Sequence, residues 1–177
     1  MTILAAGLLL SACGKENASN TTPAPVETKP EAAVMEYSLT VGDDLLDACE
    51  LTIEYYDVNG VVQTQQMLKP SWNESVRAKL PTSLGVRLTA KMKGGNVDGG
   101  SKTEDLTITA EYSYKYKGYA VDSYDKILGE VVANNNQYRL DMKTSDIPGW
   151  LEKRNGILVQ FLSNFDADGK VTEGSWQ

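Results

Sequence analysis

Leu106-Thr107-Ile108-Thr109-Ala110-Glu111-Tyr112-Ser113-Tyr114-Lys115-Tyr116 is the stretch on which the reading of this chain turns. Its even-numbered residues are apolar or aromatic and its odd-numbered residues are polar. A strand sends successive side chains to opposite faces, so this alternation predicts a long strand with one face buried and the other in water. Thr and Tyr also suit a pleated, half-buried surface. Such a face must be covered by other strands, and by parity Tyr112, Tyr114 and Tyr116 join Leu106 and Ile108 in the core.

Covering strands are readable on both sides. Met35, Tyr37, Leu39 and Val41 alternate with Glu36, Ser38 and Thr40. Gly42-Asp43-Asp44 turns the chain, and Asp44 to Asp47 reads as a helical turn or an edge. Cys49, Leu51, Ile53 and Tyr55 share one face of a second strand. Asp57-Val58-Asn59-Gly60 is a strong hairpin signal, because Asn-Gly supplies positive φ readily. Val61 to Leu68 is its return strand. Val76, Ala78 and Leu80 form the next strand, stopped by Pro81, and Val86, Leu88, Ala90 and Met92 the one after. Gly94 to Thr103 is a glycine-rich loop with the composition of a mobile segment.

Beyond Lys117-Gly118 the pattern loosens. Ile127 to Ala133 and Gln137 to Lys143 flank Asn134-Asn135-Asn136, which predicts another hairpin. Ser145-Asp146-Ile147-Pro148 has the signature of a helix start, with Asn155-Gly156 closing it, so a short helix is expected near 146–154 with Trp150 and Leu151 inward. Ile157 to Phe165 and Lys170 to Trp176 complete the set as strands around the turn Asp166-Ala167-Asp168-Gly169. Many short strands punctuated by turn residues predict an all-β fold, an antiparallel sandwich of the immunoglobulin-like kind spanning 34–177 as one domain.

The chain starts differently. Residues 1–12 are apolar and uncharged, and too short to span a bilayer, which takes about 20 residues. They read as the hydrophobic part of a signal peptide. Leu10-Ser11-Ala12-Cys13 resembles the bacterial lipobox, and that resemblance implies cleavage before Cys13 and lipid attachment to it; no Lys or Arg precedes the apolar run. Several acyl chains, each contributing about 0.8 kcal/mol per buried CH₂, make a stable anchor. Residues 13–33 are rich in Asn, Thr, Pro and Ala without an apolar period. They are expected to be a disordered tether reaching on the order of 25 Å. By analogy with lipoprotein sorting, Gly14 in place of Asp after the cysteine points to the outer membrane, on its periplasmic or cell-surface side.

Tyr37, Asp44-Leu45-Leu46, the run from Leu51 through Asp57-Val58-Asn59-Gly60, Trp72, Leu80-Pro81 and Lys91 resemble small Bacteroides-type lipoproteins carrying an immunoglobulin-like domain. The resemblance covers about the first two-thirds of the domain and implies a fold, not an activity. The Cys–Trp–Cys signature of antibody domains is missing, so the kinship is architectural.

Composition narrows the function. A formal net charge of −7 argues against nucleic acid, whose phosphates need Lys and Arg. The chain has no histidine, which removes the usual general base, the commonest zinc ligand and every Ser-His or Cys-His pair. No cofactor is expected. Asp166 and Asp168 sit where an EF-hand loop places its first oxygens, but position twelve is Ser175 and the flanks are strand-like, so a plain Asp-Gly turn is the simpler reading. Asp43, Asp44, Asp47 and Glu50 read as a solvated acidic edge. Cys49, inward by parity, reads as an inert buried thiol. The aromatic residues offering a stacking platform for a sugar are Tyr56, Trp72 and Trp150. The expectation is a lipid-anchored envelope protein that binds or assembles, not an enzyme, with an envelope protein or a glycan as partner. The alternatives are a carbohydrate-binding module and a carboxylate-based hydrolase.

Overall fold

The computed structural model describes residues 28–94 and 105–176, so the signal peptide, Cys13, most of the tether and most of the glycine-rich loop lie outside the described residues. Among the described residues, nine strands and two short α-helices follow the order β1 (Ala32–Val41), α1 (Asp43–Ala48), β2 (Cys49–Tyr56), β3 (Val62–Gln66), β4 (Ser71–Lys79), β5 (Thr82–Met92), β6 (Thr107–Val121), β7 (Ile127–Lys143), α2 (Ile147–Glu152), β8 (Ile157–Phe165) and β9 (Val171–Glu173), with a 3-10 turn at Thr144–Asp146 leading into α2. They form two antiparallel sheets, one in the order β4-β1-β6-β7 and the other β3-β2-β5-β8-β9. The all-β antiparallel sandwich read from the sequence is the observed architecture.

Period two explains the packing. Met35, Tyr37, Leu39 and Val41 from β1 and Ala110 and Tyr112 from β6 are buried on the inner face of one sheet. Leu51 and Ile53 from β2, Leu84, Val86 and Leu88 from β5, and Val159 and Phe165 from β8 meet them from the other in one core. Each large apolar side chain so buried contributes roughly 1.5–3 kcal/mol. Strand β6 is the centre of its sheet, paired from Tyr112↔Val41 to Val121↔Ala32 with β1 and along its other side with β7.

Four expectations need correction. Leu106 precedes β6 and is 58% exposed, so the buried alternation begins at Ile108. The chain from 119 to 121 continues β6, because β1 holds it in register. Asn134-Asn135-Asn136 is not a turn. It runs extended inside β7 opposite Tyr116, Lys115 and Tyr114. Asparagine tolerates turn conformations, but here the β6 ladder satisfies the backbone. Finally, Ala32 and Ala33 already belong to β1 and are buried, so the first strand starts two residues before the expected domain boundary at 34. The expected helix is α2, with Pro148 in its first turn, Ile147 and Leu151 buried, and Gly156 N–H closing onto Leu151 C=O at 2.9 Å. The acidic segment Asp43–Ala48 is a second short helix.

The close pairing of β5 with β8 within the five-stranded sheet depends on Gly85 in β5. A Cβ there would overlap the Phe161 carbonyl oxygen and come within 2.8 Å of Leu162 Cα, both backbone atoms of β8. Gly85→Ala is therefore expected to cost about 2–4 kcal/mol in chemical denaturation, as overpacking against backbone does. An unchanged midpoint would place β8 wrongly against β5.

Candidate functional site

Three hairpins share one construction. Asp57, Asp122 and Asp166 each accept two backbone N–H groups on Oδ1: Asn59 and Val61 at 2.8 and 2.9 Å, Tyr124 and Lys126 at 2.9 and 2.9 Å, Asp168 and Lys170 at 3.0 and 2.8 Å. The fourth residue of each turn has positive φ: Gly60 at 73°, Asp125 at 60° and Gly169 at 76°. These are type I turns closed by a left-handed residue. Asp166 is thus occupied by its own turn and Asp168 is exposed. Among the described residues, no group of three His, Cys, Asp or Glu side chains is placed to hold a metal ion. The two Asp-Gly turns were legible; the third was missed because Asp125 stands where the others carry glycine.

The acidic cluster is likewise structural in part: Asp44 Oδ2 accepts the Thr109 N–H at 2.8 Å, tying α1 to the start of β6. Cys49 is a free thiol, 1% exposed. Burial pushes its pKa up to about 11, partly offset by Lys93, which leaves it unreactive at neutral pH.

The three candidate stacking residues do not converge. Trp72 projects inward from β4, half-buried between Tyr37 at 6.0 Å and Tyr55 at 5.3 Å between ring centroids. Tyr56 lies on the outer face of the five-stranded sheet, 5.0 Å from Trp176. The Trp176 indole N–H donates to the Phe161 C=O at 2.8 Å, and the Arg87 guanidinium lies 4.9 Å from its ring while also pairing with Glu54 at 2.7 Å. Trp150 in α2 stacks on Tyr138 at 6.1 Å and donates its indole N–H to the Tyr138 hydroxyl at 3.2 Å, with Arg154 over both rings at 4.9 and 5.1 Å.

A groove with mixed apolar and polar walls lies elsewhere, along one open side of the sandwich. Strand β7 has 17 residues, whereas β9, at the corresponding edge of the other sheet, has 3. Between β7 and β8 a groove of about 250 Å³ opens, lined by Tyr112, Tyr114, Asn136, Gln137, Tyr138, Leu158, Val159 and Gln160. Its aromatic floor is internally stacked: Tyr112 on Tyr138 at 4.9 Å, Tyr114 beside Tyr116 at 6.5 Å, Tyr116 on Phe161 at 3.8 Å. Burial raises the phenol pKa of Tyr112 and Tyr116, so these two are neutral hydroxyls at physiological pH. Tyr112, Tyr114 and Tyr116 face inward as their parity predicts, but only Tyr112 is buried, and nothing in the local pattern announces that β8 leaves Tyr114 and Tyr116 half-covered.

A second hollow, on the outer face of the four-stranded sheet, is lined by Glu36, Ser38, Asn73, Ser75, Lys115 and Lys117 among others. Fold and groove together define a two-sheet all-β sandwich with one open flank. No family model, curated protein or solved structure matches the chain.

Asp57 and Asp105 make stability pH-dependent. The Val61 N–H first, then the Asn59 N–H and Gln63 amide, hold Asp57 below the usual carboxylate range; the Ser145 N–H does the same for Asp105. A folded-state pKa below the unfolded one gives stability that is present above about pH 4 and lost as pH falls through the folded value. Denaturation at pH 6 and pH 3 should show a smaller acid loss for Asp57→Asn than for the parent, while parallel losses would contradict the assignment.

Proposed function

We propose that this chain is a small lipoprotein of the Bacteroides type with an immunoglobulin-like domain, held at the outer membrane through lipid on Cys13, and that it acts by non-catalytic binding. The Leu10-Ser11-Ala12-Cys13 motif supports the anchor. The binding role rests on one observation, the groove between β7 and β8, which brings the edges of Tyr112, Tyr114 and Tyr138 together with the Asn136 amide and the backbone of Gln160 in a partly open space. Ligand sites combine apolar walls with a few directed polar groups in this way. Acid–base hydrolysis would need two positioned carboxylates, and the groove's walls carry phenols and amides instead.

A photo-crosslinking residue placed at Asn136 tests anchor and groove together in cells labelled with palmitate. The parent is expected to carry the label and to form a discrete crosslinked product. Cys13→Ala is expected to lose the label and leave the membrane fraction. Label retained in Cys13→Ala would refute the anchor, and an Asn136 position that captures nothing would refute the groove.

A further inference from the structure

We propose that the open flank accepts an extended peptide strand of a partner, which pairs with the free edge of β8 and lays alternate side chains on the tyrosine floor; this rests on the binding role given to the same groove. The argument begins with the backbone. Strand β8 pairs with β5 along its length, but with β9 only at Ser163, Asn164 and Phe165. Gly174 N–H then donates to Leu162 C=O at 2.9 Å, after which the tail leaves the edge and lays Trp176 over the outer face. In an antiparallel strand the N–H and C=O of one residue point to the same side, and the side alternates along the chain. Leu162 faces away from β5, so Gln160, in regular register opposite Arg87, faces away too. Gln160 is exposed, and among the described residues no group outside the ladder hydrogen-bonds its N–H or C=O.

Side chains point the same way. Ile157-Leu158-Val159-Gln160-Phe161 has no charge and no proline, the two devices that usually guard an edge. By contrast β4, at an edge of the other sheet, carries Glu74, Arg77 and Lys79. A strand added beside β8 would lie about 4.8 Å from it and about 10 Å from the sheet of β7, the normal spacing of a sandwich. Its inward residues would then cover Tyr114 and Tyr138. A sugar ring is the poorer fit. It needs an open aromatic face, and the groove's rings are already engaged, Tyr112 stacked on Tyr138 and Tyr114 beside Tyr116 and Phe161. Strand addition draws affinity from main-chain hydrogen bonds and specificity from alternate side chains.

The probe is the synthetic peptide Lys-Thr-Val-Thr-Val-Thr-Lys, titrated into the ¹⁵N-labelled protein, with hydrogen exchange read at the Gln160 amide. Binding should slow exchange there at least tenfold. Gln160→Ala should bind as the parent does, while Gln160→Pro, which removes the edge N–H, should weaken binding about tenfold. A peptide N-methylated at alternate residues tests the same bond without touching the protein and should not bind. Equal loss in Gln160→Ala and Gln160→Pro, or unimpaired binding of the N-methylated peptide, would overturn strand addition. N-acetylglucosamine oligomers filling the groove, with affinity lost in Tyr138→Ala, would overturn it too and leave the binding role standing. No shift at groove residues with either probe would remove both.

Discussion

Phe161 lies 3.8 Å from Tyr116 and 5.9 Å from Tyr37, centroid to centroid, and this contact between the sheets is what the rest of the structure is arranged around. Strand β6 is paired on both sides and cannot slip without turning every inward ring to solvent. Its tyrosines therefore demand a lid, and β8 provides one. The burial that stabilises this arrangement also sets its price: among the described residues, the Tyr37 hydroxyl is buried with only the Gly85 backbone beside it and no hydrogen bond of good geometry, and desolvation drives its pKa above the ordinary phenol range. The apolar area and ring stacking gained around Tyr37 must exceed the cost of that unpaired group.

The same lid is narrower than the surface it covers. Phe161 closes the sandwich over Tyr116, but β9 ends after three residues and leaves Tyr114 and Tyr138 with one side open. The groove is thus a consequence of mismatched strand lengths. Helix α2 closes one end of it through Trp150 and Arg154 on Tyr138. At the other end the C-terminal tail turns outward onto Arg87 and Tyr56.

How much of this could be read from residues alone follows from where period two survives. Strands β1, β2, β5 and β6 each have one wet face and one dry face, so their alternation was plain. Strand β7 was not legible as one element. Its residues are largely exposed on both faces, so no hydrophobic rhythm marks it, and three asparagines in its middle mimic a turn. Only pairing with Tyr114, Lys115 and Tyr116 keeps them extended. Two of the three Asp-capped turns carried their glycine and were visible; the third, with Asp125 in the left-handed position, was not. Tyr56, Trp72 and Trp150 drew attention as large aromatics, yet each is engaged by a neighbouring ring. The groove residues Asn136 and Gln160 carry no signal, since what matters at Gln160 is an unpaired backbone edge, which no side-chain pattern encodes.

The most direct test of this account is the set of ring–ring nuclear Overhauser contacts of Phe161 in the folded protein. Contacts from Phe161 to both Tyr116 and Tyr37 are the predicted result, because only opposed sheets in this register bring those three rings together. A Phe161 ring without contacts to either tyrosine, with Tyr116 exchanging freely with solvent, would contradict the two-sheet packing and with it the groove.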